Sequence, residues 1–156
     1  MCNYKGLSSK LNKMENIKIS VLDSFSELPG LRHCSISDYS GEEFYHTVLN
    51  PHFGDVIKKG KKLIVDLDNT AGYAPSFLDE AFGNLVYDFT YSEVNKRLDI
   101  ISLQEPSWIE MLNEETFPQW EKRRQQDTEP KVTQKHEDWY KYINGELKKD
   151  VWLNPS

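Results

Sequence analysis

Between Lys62 and Phe89 the chain changes its hydrophobic rhythm. Leu63, Ile64, Val65 and Leu67 form an apolar run of the length of a buried strand, and it stops at Asp68-Asn69, whose side chains favour turns. From Leu78 onward the apolar residues Leu78, Ala81, Phe82, Leu85, Val86 and Phe89 recur at steps of three and four, which gathers them on one face of a helix. Asp79, Glu80, Asn84 and Asp88 fall on the other face, which this pattern assigns to solvent. Ser76 and Asp79 have the S-x-x-D spacing of a capping box, so the helix is predicted to begin at Phe77 with Ser76 as its cap.

The flanks are read the same way. Ile17, Ile19 and Val21 alternate with Lys18, Ser20 and Leu22 in a nearly period-two pattern, and Leu31 to Ser37 follows Pro29-Gly30 as a second short strand candidate; together they predict a hairpin. Ser40 and Glu43 form another capping box ahead of Phe44, Tyr45, Val48 and Leu49, so a helix is predicted over 41–49, ended by Asn50-Pro51. Leu98 to Leu103 reads as another buried strand, and the intervening helix makes a parallel βαβ crossover with the central strand. Ser107 is placed as the cap of a closing helix carrying Trp108, Ile109, Met111 and Leu112. After Glu121 the composition turns to Lys, Arg, Gln and Asp, a solvated helix end and then a linker. In the last segment Trp139, Tyr142 and Ile143 have helical spacing that favours a short helix, although Asn144-Gly145 is also a strong hairpin signal.

Composition narrows the function classes. A chain of 156 residues, 38% of them hydrophobic, fills one domain and a modest appendage. The net charge of -6 argues against nonspecific nucleic-acid binding, which needs a basic surface. Cys2 and Cys34 are far apart and make no disulfide framework, consistent with a reducing, cytoplasmic setting. No apolar run approaches the roughly 20 residues that span a bilayer, and the first sixteen residues lack the apolar core of a signal peptide. His33, His46, His52 and His136 show no metal-ligand spacing with one another. Neither cysteine sits in a nucleophile motif, the glycines form no phosphate-cradling loop, and no cofactor or metal is expected.

The strand ending in Asp66-Leu67-Asp68, the loop through Gly72-Tyr73 and the motif Ser76-Phe77-Leu78-Asp79-Glu80-Ala81-Phe82-Gly83 resemble the bacterial STAS-like domain family of unknown function, related to the anti-sigma-factor antagonist fold. The resemblance spans about Ile17 to Leu112. It implies an α/β fold, a STAS-like mixed sheet of about four strands with helices mainly on one face. The organisation is then a flexible extension over 1–15, the domain over 16–115 and a helical or linker extension over 116–156. It also implies a non-catalytic regulatory module that binds a protein partner of the histidine-kinase-like ATPase class, with homodimerisation left open and no nucleic acid or membrane involved. Asp68, Asn69, Thr70, Tyr73, Ser76, Asp79 and Glu80 are the implied binding surface, with Asp79 and Glu80 as exposed carboxylates. Ser76 matches the position phosphorylated in antagonists, although Ala74-Pro75 before it and Phe77 after it depart from their pattern. A phosphate there would sit beside the positive end of the helix.

Two other readings share the same loop. Asp66-Leu67-Asp68-Asn69-Thr70 matches the D-x-D-x-T nucleophile motif of haloacid-dehalogenase-like phosphatases, and Ser102 resembles their second motif. Such chemistry also needs a lysine and an acidic pair to hold magnesium, yet Glu137-Asp138 lies in a polar segment and Lys122 or Lys131 is an arbitrary choice. The third reading is a small-molecule or nucleotide sensor binding at that loop, where open α/β sheets place ligands.

Overall fold

The structure is a computed structural model and describes residues 15–150. Residues 1–14 of the extension expected over 1–15, with Cys2, and Trp152 lie outside the described residues. Three strands, β1 (Asn16–Ser20), β2 (Lys62–Asp66) and β3 (Leu98–Ile101), form an all-parallel sheet in that spatial order. The register pairs Ile17 with Leu63 and Ile19 with Val65, and on the other side Leu63 with Leu98 and Val65 with Ile100. Along β2 the alternate residues Leu63 and Val65 are fully buried while Ile64 is half-buried, so one face of the sheet carries most of the core.

The expected hairpin does not form, because β1 pairs with β2 and Leu31–Ser37 is irregular. That segment has another use. The carbonyls of Leu31 and Arg32 accept from the backbone N–H groups of Gly41 and Glu42, at 2.8 and 2.9 Å, which are orphan donors of the next helix. After the short helix α1 (Val21–Ser24), that helix, α2 (Gly41–Phe44), starts with Ser40 Oγ accepting from the Glu43 N–H, as the capping box predicts.

Asn50-Pro51 does not stop it. Residues Tyr45–Leu49 form a π-helical turn, closed by Asn50 N–H to the Tyr45 carbonyl, and the chain continues as α3 (Asn50–Lys59). Proline removes one donor and its ring crowds the carbonyl four residues back, and a widened turn just ahead of it relieves both problems.

The central helix α4 (Pro75–Phe89) starts earlier than Ser76 predicts: Ala74 occupies the cap position and Pro75 the first turn, where its fixed φ and missing N–H are no handicap. Here the expectation of a solvent face fails. Glu80 is 3% exposed, and Asn84 and Asp88 are 5%, because beyond its first turn α4 is enclosed, with Asp79 half-buried. After α5 (Tyr91–Arg97) and β3, a continuous helical run covers it: α6 (Ser107–Met111), a second π-helical turn over Leu112–Thr116, and α7 (Phe117–Gln125). This π turn again directly precedes a proline, Pro118, in the first turn of the next helix. The cap of α6 is Pro106, with Ser107 one residue inside the helix.

Trp120 on α7 packs flat on Gly83 of α4, so the helix-weakening glycine marks a close contact. The last segment is a hairpin, β4 (Trp139–Ile143) and β5 (Glu146–Asp150), with Asn144 and Gly145 at φ 52° and 79° in the turn. The helical spacing of Trp139, Tyr142 and Ile143 was therefore misleading, because the left-handed Asn-Gly pair decides the turn. Among the described residues no helix is long and apolar enough to cross a membrane.

Gly83→Ala tests the helix contact. Its Cβ would fall inside the Trp120 indole, so the variant is expected to lose about 1–3 kcal/mol in urea unfolding despite alanine's better helix propensity. A gain in stability would show that Trp120 moves aside freely.

Candidate functional site

The polypeptide leaves β2 at the carboxyl end of the sheet and bends through residues 67–74 into α4, and hydrogen bonds within and around it fix this bend. Asp66 Oδ1 accepts from Asp68 N–H at 2.9 Å. Both Asp68 carboxylate oxygens are occupied, Oδ1 by Gln104 N–H at 3.0 Å and Oδ2 by Leu103 N–H at 3.1 Å. Asn69, exposed and at φ 74°, donates its N–H to Gln104 Oε1 and accepts from Gln104 Nε2. Thr70 Oγ1 accepts from Gly72 N–H, and Ala71 N–H donates to the Glu27 carbonyl at 2.8 Å. Tyr73 turns its ring toward Phe77 and Trp108 and donates its hydroxyl to the Leu67 carbonyl at 2.7 Å; burial pushes that phenol up to about 12.

Ser76 lies half-buried in the first turn of α4. Asp79 is half-buried and accepts from Arg32 at 2.8 Å. Glu80, expected at the surface, is inside. It accepts from the same guanidinium at 3.0 Å and from Asn84 Nδ2 at 3.0 Å, and burial raises its carboxyl although His33, Arg32 and Asn84 draw it down. Asp68, Asn69, Thr70, Tyr73 and Ser76 thus share one end of the sheet, while Glu80 belongs to the interior.

A second cluster joins residues the sequence keeps far apart. Glu42, 1% exposed at the start of α2, accepts through Oε1 from Cys34 N–H at 3.1 Å and Thr133 Oγ1 at 2.6 Å, and through Oε2 from Thr133 N–H at 2.9 Å. Oε2 also lies 2.8 Å from His136 Nε2, and Oε1 3.3 Å from His33 Nδ1. Burial alone would raise the Glu42 carboxyl, but the hydrogen bonds from His136, Thr133 and Cys34 outweigh it and hold the group well below the usual carboxylate range. Cys34 is pushed up to about 11, chiefly by burial, so it is a thiol at neutral pH. His46 stacks on His136 at 4.0 Å between ring centroids, and burial followed by His136 lowers it to about 3. Cys34, Glu42 and His136 are the described residues whose donor atoms gather closely enough to hold a metal ion. Pairwise spacing gave no hint of this, since Glu42 and His136 are 94 positions apart; the one local signal is that Glu42 and His46, four apart, share a helix face.

At the far end of α4, Asp88 Oδ2 accepts from the Tyr45 hydroxyl at 2.5 Å, and Lys141 Nζ lies 3.5 Å from Oδ1. Asn50 donates to Tyr45 and pairs with both backbone groups of Tyr140. A cleft of about 540 Å³ opens here, lined by Tyr87, Asp88, Thr90, Arg124, Lys141 and Tyr142 among others. Burial lifts the Asp88 carboxyl to about 6, against the pull of Lys141 and Tyr45.

The sign of the resulting pH dependence follows from linkage. An unfolded aspartate titrates at about 3.9, so between about pH 4 and 6 the folded state keeps a proton that the unfolded state has released. The contribution of Asp88 to stability therefore falls as pH rises through that window, by at most about 3 kcal/mol, and is level above it. Urea unfolding of wild type and Asp88→Asn at pH 4 and 7 should show wild type losing ground to the variant as pH rises. A difference that stays constant would show that Asp88 ionises at its ordinary pH.

Comparison with curated proteins and with solved structures returned no match. A family model does match, the one described as a STAS-like domain of unknown function (DUF4325), and it covers residues 40–108. The α/β architecture, with its parallel sheet and packed helices, fits a STAS-like fold. The stretch from Ser40 to Trp108, running from the cap of α2 through β2 and α4 to the start of α6, is the part of the chain that this STAS-like family model matches.

Proposed function

We propose that the domain is a non-catalytic regulatory module that docks a protein partner on the carboxyl end of its parallel sheet. The observation that carries this reading is the exposure of Leu28 and Leu103, 64% and 80%, on the two loops hydrogen-bonded to the bend at 67–74. Two large apolar side chains held in water on either side of a fixed polar bend make an apolar anchor pair with a polar centre, the composition of a small recognition surface. The rigidity of the bend supports docking over reaction: both oxygens of Asp68 are engaged by backbone donors, and Asp66 is tied to the same turn.

The partner class carried over from the resemblance is a histidine-kinase-like ATPase. Ser76 is the residue on which it would act. The hydroxyl sits in the first turn of a 15-residue helix, where an added phosphate would meet the positive end of the dipole, so the fold would tolerate it while the docking surface gains nearly two negative charges.

Leu28→Asp and Leu103→Asp should each lower affinity for the copurifying partner at least tenfold without moving the melting temperature. Unchanged affinity in both would remove this surface. Incubation with that partner and ATP should add one phosphate, located at Ser76 by mass spectrometry and absent from Ser76→Ala. Magnesium-dependent hydrolysis of p-nitrophenyl phosphate, lost in Asp66→Asn, would replace the docking reading with a phosphatase.

A further inference from the structure

Three side chains from three separate segments converge beside the first turn of α2. The Cys34 sulfur, the Glu42 carboxylate and an imidazole nitrogen of His136 each place one ligand atom within 4.8 Å of the other two. Glu42 and His136 are 1% and 8% exposed, and Cys34 is half-buried. We propose that Cys34, Glu42 and His136 form a binding site for a divalent transition metal of the zinc class.

The donor set selects the metal. A sulfur, an imidazole and a carboxylate are zinc ligands, whereas calcium and magnesium take oxygen. Charge also balances: a thiolate and a carboxylate neutralise a dication, so the buried site carries no net charge once the ion is in place. Binding requires Cys34 to release its thiol proton to solvent and His136 to carry its remaining proton on Nδ1, which frees Nε2. The hydrogen bond between Nε2 and Glu42 is then exchanged for two bonds to the ion.

The surroundings are those that hold ligands in place. Ser40, fully buried, accepts from Glu43 N–H at 3.0 Å, which leaves its own hydroxyl proton to point at the Cys34 sulfur 3.3 Å away. The N–H groups of Cys34 and Thr133 orient the Glu42 carboxylate. The His46 ring, 9° from parallel with His136, fixes its plane, and His46 Nδ1 is a buried nitrogen with no hydrogen-bond partner among the described residues. A plain hydrogen-bonded strap between Glu42, Thr133 and His136 would need no thiol at this point.

The test uses the full chain carrying Cys2→Ser, so that Cys34 is its one thiol, stripped of metal with a chelator. Titration with cobalt(II) should produce a thiolate-to-cobalt charge-transfer band and tetrahedral d–d bands that saturate at one ion per chain and vanish on adding zinc. Adding Cys34→Ser, which keeps the size of the side chain and the strap hydrogen bonds, should abolish the charge-transfer band while circular dichroism in chelator stays that of the parent. His136→Ala should weaken cobalt binding at least tenfold. Absence of a charge-transfer band in the parent, or full-strength binding in His136→Ala, would overturn the site and leave the strap alone.

Discussion

The constraint on which this structure turns is a helix with no solvent side. Once α4 is enclosed by the sheet, α2, α7 and the terminal hairpin, every polar group it carries must find a partner inside the protein, because an unpaired buried carboxylate costs more than most single contacts return. Glu80, Asn84 and Asp88, spaced four apart, form a stripe of this kind. Arg32 and His33 attend to one end of it, and Tyr45 and Lys141 to the other. The irregular segment over 30–40 and the terminal hairpin thus have a physical reason to pack where they do. They bring counter-charges and donors to a helix that cannot turn its polar side to water.

The same logic organises the polar cluster at Glu42. Its carboxylate collects donors from the 33–34 loop and from residues 133 and 136, so one buried charge gathers chain segments from opposite ends of the sequence. Asn50 does comparable work with neutral groups by pairing both main-chain atoms of Tyr140, standing in for a neighbouring strand beside β4. Against this fixed interior, the carboxyl end of the sheet is different in kind. Its polar groups are satisfied within the bend and by the adjoining loops at Glu27 and at Leu103-Gln104, while Leu28 and Leu103 on those loops are left in water.

Much of this was legible from the residues alone. The period-two and apolar-run signals found β1, β2 and β3 to within a few positions, and the parallel crossover through α4 followed from its length. Ser40 caps α2 through its hydroxyl, as its spacing to Glu43 predicts. Several of the misses share a cause, which is that local pattern was overridden by partners distant in sequence. Polar residues on α4 look like a solvent face until Arg32 and Lys141 arrive. Leu31–Ser37 has the composition of a strand but spends its carbonyls on the first turn of α2. Asn50-Pro51 reads as a stop because nothing in a helical wheel anticipates a widened turn. The convergence of Cys34, Glu42 and His136 has no sequence spacing at all, since it exists only after the terminal segment has folded back.

That folding back has a consequence for synthesis. Residues Thr133, His136 and Lys141 are made well after Glu42 and Asp88, to which they supply donors. As the ribosome works from the amino end, Glu42 on α2 and Asp88 on α4 are in place before the partners supplied by residues 133–141. The interior therefore closes only after the terminal hairpin has emerged, and the final steps of assembly must follow translation of that segment instead of accompanying it.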